Sequence, residues 1–488
     1  MTNRPAETKS GLGYFEPLSH LDASFLALES ANTHMHVGAV VQFEAAGLKR
    51  SDGGIDINRI KAHIAGKLQY IPRYRQRLAF VPGTRRPVWI DDDHFNFDYH
   101  VRHTSLPRPG TDEQLKLLAG RTVSQQLDRA KPLWELWVVE GLENDRFGII
   151  AKIHHCMIDG VSGIDLTGIL LNVAPTSEVE PPGHWTPRPG PSGTQLVVAE
   201  AARAARRTVD TMTSLRNLAG QSLEMAMNLG GRTFAAMNSL RSGWLSPASR
   251  TPLNPDLGPN RRVDWTESSL EDVKRIRRAF GISVNDVLLT VVTGALRSFL
   301  TDVRGFSVEG IEFRAMVPVS TRKPDQRGAL GNQVAMWLVT LPVSEHEPLR
   351  RLQKVHEETE RLKKTNQALG ATTLVELSRG TPITVIAVAS RVVGPMIRPF
   401  NLTVTNVPGP QFPMYLLEAR MIASYPIVPL WSQHGLGLAI FSYDGALHWG
   451  IHADFDAIPD TDKITAAITA SVRELLDAVP DGGAGLSP

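Results

Sequence analysis

The spacing of apolar and polar positions along the chain changes repeatedly, and each change predicts an element. Residues 36–44 (HVGAVVQFE) and 146–155 (RFGIIAKIHH) are rich in Val and Ile and read as strands. Residues 133–140 (LWELWVVE) form another β-leaning run, entered through Pro132, where a missing N–H does least harm. Residues 111–127 have helical spacing and an acidic first turn, and Val161–Val173 is apolar enough for a buried helix. Strands alternating with helices in this way predict an α/β (α+β) layered fold.

The pattern breaks at Pro175–Pro191 (PTSEVEPPGHWTPRPGP), a linker or surface crossing by composition. A long helical stretch follows at 196–229, then an irregular connection at 242–260. A second alternating block opens near Val263. Ser283 with Asp286 predicts a capped start for a helix over Val284–Leu300, and strands are expected at 311–319, 333–343 and 401–407. Leu436–Tyr443 and Ala446–Ala453 flank Asp444-Gly445, a strong hairpin signal. The expected division is a flexible 1–17, a first domain at 18–174, a crossover at 175–262, a second domain at 263–478, and a flexible 479–488. With 488 residues the chain exceeds what one hydrophobic core usually serves, which agrees with two domains.

Charge and composition remove several classes of function. Basic and acidic side chains number 52 and 50, for a net charge of +2, and no Lys/Arg block interleaved with aromatics suggests a nucleic-acid surface. A single cysteine, Cys156, cannot form an intrachain disulfide and fits a reducing compartment. The first residues lack the apolar core of a secretory signal. The longest apolar run, Ile383–Ile397, is interrupted by Ser390, Arg391 and Pro395, so no membrane span is expected. A cytoplasmic protein is the expectation.

The chemistry concentrates in His154-His155-Cys156-Met157-Ile158-Asp159-Gly160, where a predicted strand ends and a helix begins. Successive strand residues point to opposite faces, so only one of the two histidines can face a given cleft. A neutral imidazole can take a proton from a hydroxyl at physiological pH. Asp159 can hold the turn by pairing with a cation, and Gly160 permits a left-handed turn conformation. Cys156 could be a thiol nucleophile, but its place beside His155 on an extended chain favours a packing role. His34 and His36 with the HH pair could suggest a metal, but no supporting carboxylate is evident and none is expected. Dinucleotide-type and P-loop glycine motifs are absent.

HHxxxDG is the signature of the coenzyme A-dependent acyltransferase superfamily, and further segments resemble one branch of it. They are LSHLDASFLALE with HMHVG, PLW at 132–134, PLNPDLGPNRR at 253–262, ND at 285–286, VPVSTR, GNQVAMWLVTLPV, TNVPGP at 405–410, and SYDG followed by Asp454 and PD at 459–460. Together, over about Leu18 to Leu476, they resemble the bacterial wax ester synthase/acyl-CoA:diacylglycerol acyltransferases. The DFGWG segment of chloramphenicol acetyltransferase and its plant relatives has no counterpart.

The resemblance implies two pseudo-symmetric chloramphenicol acetyltransferase-like domains with an active-site tunnel between them. It implies His155 as general base, His154 in support, and Asp159 and Gly160 in site geometry, with Arg262 or Arg314 as partner of Asp159. Thr405, Asn406 and Asn285 are the candidates for binding the oxyanion. For Asn285, a purely structural place at a helix start competes with that role. PLW is expected to pack in the core. The implied substrates are long-chain acyl-CoA and diacylglycerol, with fatty alcohols as alternative acceptors giving wax esters, and no cofactor or metal is implied. An enzyme using carrier-protein thioesters and a silent lipid-binding protein are the rival readings; the intact HHxxxDG disfavours silence.

Residues 196–229 carry an apolar stripe (Val198, Ala202, Ala205, Val209, Met212, Leu215, Ala219, Leu223) beside Arg203, Arg206, Arg207 and Arg216. A basic amphipathic helix of this kind suits the surface of a membrane or lipid droplet. Peripheral contact with the inner membrane or with droplets is therefore expected.

Overall fold

The computed structural model describes residues 13–157, 166–219, 246–320, 334–369 and 398–480. The first half contributes β1 (Glu16–Pro17), β2 (His36–Glu44), β3 (Gln76–Phe80), β4 (Pro87–Asp91), β5 (Val101–Ser105), β6 (Trp134–Leu142) and β7 (Arg146–His154). The second half contributes β8 (Arg261–Ser269), β9 (Arg314–Ser320), β10 (Val334–Thr340), β11 (Leu402–Pro408), β12 (Tyr415–Leu416), β13 (Ala419–Ile427), β14 (Leu436–Tyr443) and β15 (Ala446–Asp454). They form two six-stranded mixed sheets, ordered β12-β13-β2-β7-β6-β5 and β10-β9-β11-β14-β15-β8, and a small sheet β1-β4-β3.

Several elements form where local chemistry dictates. Thr111 and Gln114 close a capping box on the helix Asp112–Ser124, and Ser283 and Asp286 close another on Val284–Ser298. At the β14–β15 hairpin, Asp444 and Gly445 both adopt positive φ (44° and 85°), as a two-residue turn of that hand requires. The helix Val284–Val303 is apolar and long enough to cross a membrane, but it is 72% buried in the second core. The calls for 158–165, 220–245 and Ile383–Ile397 concern positions outside the described residues.

The near-continuous apolar runs of β2, β6 and β7 have a structural reason: the first sheet is covered on both faces. Val41, Phe43, Leu136, Ile149 and Ile153 face the core of the first half. Val40, Val139 and Ile150 face a second layer, with Val263 and Trp265 of β8 and Ala423, Tyr425 and Ile427 of β13. That layer joins the halves. The helix Asp112–Ser124 lies on β8 closely enough that a Cβ at Gly120 would sit 2.8 Å from the Arg261 carbonyl oxygen.

One stretch of the expected 263–478 domain belongs to the sheet of the first half. β12 and β13 join the first sheet: Met421–Ile427 pair with β2, and Tyr415–Leu416 pair with β13. β13 then crosses β15 so tightly that a Cβ at Gly450 would lie 1.9 Å from the Pro426 carbonyl oxygen. Only a residue without a side chain fits this crossing. The Pro-rich segment runs over the surface but is fastened there. Arg188 donates to both oxygens of Asp91, each at 2.8 Å, and Glu180 accepts from Gln69 at 2.7 Å.

Candidate functional site

β7 ends at His154, and a single 3-10 turn, His155–Met157, carries the second histidine away from the sheet. The backbone of the pair is held from both sides. His154 N–H donates to the Leu133 carbonyl (2.9 Å) and His155 N–H to the Met35 carbonyl (2.7 Å). PLW and HMHVG therefore hold the HH pair between them. Leu133 and Trp134 are fully buried, and the Trp134 indole donates to the Tyr74 carbonyl (2.8 Å), so the expected packing role is observed.

The two histidines have different surroundings, as expected, but the turn separates them and not strand alternation: His154 is the last residue of β7 and His155 the first of the 3-10 turn. His154 is 1% exposed and shares a face of the first sheet with His36, its register partner on β2. Its Nδ1 accepts the Cys156 N–H at 3.1 Å, so the ring proton is on Nε2. Nε2 points at Glu29 Oε1 from 3.6 Å, and His36 Nε2 lies 3.4 Å from the same oxygen. Arg129 donates to Glu29 Oε2 from Nε (3.1 Å) and Nη2 (2.6 Å). Burial alone would raise the Glu29 carboxyl, but His154, His36 and Arg129 outweigh it and hold the group below the usual carboxylate range. Glu29 is the carboxylate that sequence reasoning did not find beside these histidines. Its signal was the last residue of LSHLDASFLALE. Among the described residues this cluster has no metal-binding arrangement.

His155 is half-buried and stacks on Phe25 of the helix His20–Leu28, ring centroids 3.9 Å apart. Phe25 meets Trp431 of the second half at 6.5 Å, and Trp431 meets Phe400, just ahead of β11, at 6.3 Å. His155 thus sits where the halves meet. Burial pushes its imidazole down to about 4, with His154 acting in the same direction, so the ring is neutral near pH 7. Nδ1 is buried without a hydrogen-bond partner among the described residues.

Cys156 is 1% exposed within the first core, and burial pushes its thiol well up. The packing role holds, although the residue lies in a 3-10 turn and not on the extended chain from which the expectation was drawn.

The oxyanion candidates are separated by strand parity. On β11, Leu402 and Val404 point into the second core, and Asn406 shares their face. Thr403 and Thr405 occupy the opposite face, level with Gly437 and Ala439 of β14. That face meets the first half. A Cβ on Gly437 would lie 2.7 Å from Val428, and Phe441 packs against the first core. Thr405 therefore faces the junction and Asn406 does not. Asn285 lies in the first turn of Val284–Ser298. The adjacent Asp286 is buried and bonded by Ser283 N–H (3.0 Å), His356 Nδ1 (2.9 Å) and Thr359 Oγ1 (2.7 Å). ND is thus helix-start structure at least at its aspartate.

Asp159 and Gly160 lie outside the described residues. Of the two arginines considered for Asp159, Arg262 lies over the Phe455 ring at 4.3 Å and Arg314 donates to Glu312 Oε1 and the Ser246 carbonyl (2.8 Å). The segment PLNPDLGPNRR ties the halves together: Asn32 Nδ2 donates to the Leu257 carbonyl at 2.9 Å, and Arg261 donates to the Asn32 carbonyl.

The catalytic-domain description of the wax ester synthase/diacylglycerol acyltransferases matches residues 18–288, and the C-terminal-domain description of the same family matches 330–476. A probable diacylglycerol O-acyltransferase of Mycobacterium tuberculosis is 30% identical over 463 residues, covering 94% of this chain and 95% of that protein. Among solved structures, the wax ester synthase/diacylglycerol acyltransferase of Marinobacter aquaeolei VT8 is similar with a TM-score of 0.69 at 23% identity, over 95% of this chain and 99% of that one. A trichothecene 15-O-acetyltransferase from Fusarium sporotrichioides is similar with a TM-score of 0.59 at 12% identity, over 94% and 95%. The α/β fold expected from the sequence is the fold these proteins share.

Proposed function

Because the chain belongs to the wax ester synthase/diacylglycerol acyltransferase family, we propose that it moves a long-chain acyl group from acyl-CoA to diacylglycerol, giving triacylglycerol, with fatty alcohols as alternative acceptors. The observation that carries this reading is a neutral, half-buried His155 placed at a strand end where the two halves meet. With Nδ1 enclosed by protein, Nε2 is the nitrogen available to a substrate. It removes the hydroxyl proton as the alcohol oxygen bonds to the thioester carbonyl carbon. The tetrahedral intermediate then expels the coenzyme A sulfur, which takes the proton from His155. We assign the oxyanion donor to Thr405, a choice supported by its position on the face of β11 turned to the junction. A buried Cys156 held as the thiol argues against a covalent acyl-enzyme, and no step needs a metal or cofactor. Purified protein with radiolabelled palmitoyl-CoA and diolein or hexadecanol is expected to yield labelled triacylglycerol or wax ester on thin-layer chromatography. No labelled neutral lipid with either acceptor would refute the reading.

We also propose docking on a membrane or lipid-droplet surface from the cytoplasmic side, since diacylglycerol is confined to such surfaces. The support is the helix Gly193–Ala219. Leu196 packs on the small sheet with Val81, Val88 and Ile90, and this turns the first residues of the predicted stripe outward: Val198 is 58% exposed, and Ala202 and Ala205 are exposed as well, while the stripe from Val209 onward concerns side chains outside those described. Arg206 is exposed beside them, while Arg203 is half-buried against Phe15 and Val88, so it is a weaker membrane contact than its sequence position suggested. Wild-type protein is expected to float with anionic vesicles containing diacylglycerol, and Val198→Asp with Arg206→Glu to reduce the floated fraction several-fold. Wild-type protein left at the bottom of the gradient would refute docking.

A further inference from the structure

The geometry points to Glu29 as a positioning residue for the acyl transfer: its carboxylate fixes the proton and orientation of His154, and His154 in turn anchors the turn that presents His155. This rests on the reading of His155 as the base. Glu29 follows the last residue of the helix His20–Leu28, the same helix whose Phe25 stacks on His155. Its side chain is 1% exposed, in a setting where an ionised group persists only with partners.

The partners are assigned by two backbone amides. His36 Nε2 accepts the Leu127 N–H at 3.4 Å, so that nitrogen carries no proton and has none to offer Glu29. His154 Nδ1 accepts the Cys156 N–H at 3.1 Å, which puts the His154 proton on Nε2, aimed at Glu29 Oε1. Of the two rings beside Oε1, only His154 can donate to it. Oε2 is taken by Arg129, whose Nη2 also holds the Leu26 carbonyl at 2.9 Å. The anion thus stands between a guanidinium on Oε2 and one imidazole N–H, whose 3.6 Å approach to Oε1 is longer than a hydrogen bond and leaves that oxygen no other donor among the described residues.

An amide in place of the carboxylate reverses this. Its oxygen turns to Arg129, and its NH2 then confronts the His154 Nε2–H, donor against donor. His154 escapes by moving its proton to Nδ1, which faces the Cys156 N–H and releases the turn. A misplacement of the order of 1 Å at a base costs up to about 10²-fold in rate.

For Glu29→Gln we expect kcat to fall about 30-fold, with the KM for palmitoyl-CoA within about 3-fold of wild type. In protein labelled with 15N-histidine, the His154 signals, identified by their loss in His154→Gln, should switch from the Nε2–H to the Nδ1–H form. Glu29→Asp keeps the charge but is too short to reach both partners, so kcat should fall about 5-fold with melting near wild type; it serves where Glu29→Gln fails to fold. Wild-type kcat in either variant, or a fall in kcat with the His154 tautomer unchanged, overturns the inference. His155→Ala in the same assay separates the two ideas. If it stays active, the base assignment fails; if it is inactive while Glu29→Gln turns over normally, only the role of Glu29 fails.

Discussion

His155→Ala is expected to lower turnover by at least about 10²-fold, because positioned proton transfer of this kind contributes roughly 10²–10⁴-fold. Unfolding in urea should be little changed, since the ring is half-buried and its backbone bond to Met35 does not depend on the side chain. His154→Ala should cost less, acting through the position of its neighbour. Equal and mild losses in both variants, with normal unfolding, would remove His155 from the mechanism. The pH profile tests the same residue independently. Burial holds His155 at about 4 in the folded state, below the ordinary histidine value of about 6.5, so the base keeps its lone pair well below the usual histidine range. The rate should stay level from pH 7 to about 5 and fall as pH passes through about 4. The stability linked to this group runs the same way. It is present above about 6.5, where the ring is neutral whether folded or not, and is lost as pH falls toward about 4, because the unfolded chain binds the proton first. His34, His36, His100, His434 and His452 are shifted in the same direction by burial. Unfolding must therefore be followed alongside the rate in this window. A rate that halves near pH 6.5 while the protein stays folded would contradict a desolvated base.

Thr405→Val is expected to lower kcat by about 10²-fold, the usual cost of losing one oxyanion donor. Valine keeps the volume and the β preference and removes only the hydroxyl. KM for acyl-CoA should move little, because the donor acts on charge that develops in the transition state. Asn406→Ala should cost less, since Asn406 shares the face of Leu402 and Val404, which line the second core. Asn285→Ala should act mainly on the helix start. A near-normal Thr405→Val beside an inactive Asn285→Ala would transfer the oxyanion role to the helix terminus.

How much of this was legible in the sequence follows from the range of the interactions involved. The β14–β15 hairpin, the Ser283–Asp286 capping box and β2 each depend on residues within a few positions of one another, and each formed where the pattern placed it. The HH pair was legible for the same reason: a strand end and a following turn are local features, although the turn, and not the alternation of an extended strand, separates the two side chains. The family, too, was readable from the order of short segments.

Those segments did not reveal what they are for, because most of them act at a distance. Glu29 meets His154 across 125 positions only after the helix His20–Leu28 lies against β7 and its turn. The carboxylate that completes the histidine cluster was therefore invisible in the one-dimensional pattern. β13 joins the first sheet by pairing with a strand almost four hundred residues earlier, and its own run, ARMIASYPI, names no partner. The choice between Thr405 and Asn406 needed the parity of β11 against β14, and the outward turn of Val198 needed Leu196 seated on the small sheet. The sequence by itself determined most of the elements, the family and the position of the histidine pair, since backbone preference and side-chain period act over a few residues. Which carboxylate lies beside His154, which side of β11 Thr405 takes and whether Val198 is left to solvent were decided by tertiary packing, because those contacts exist only once distant strands have closed on one another.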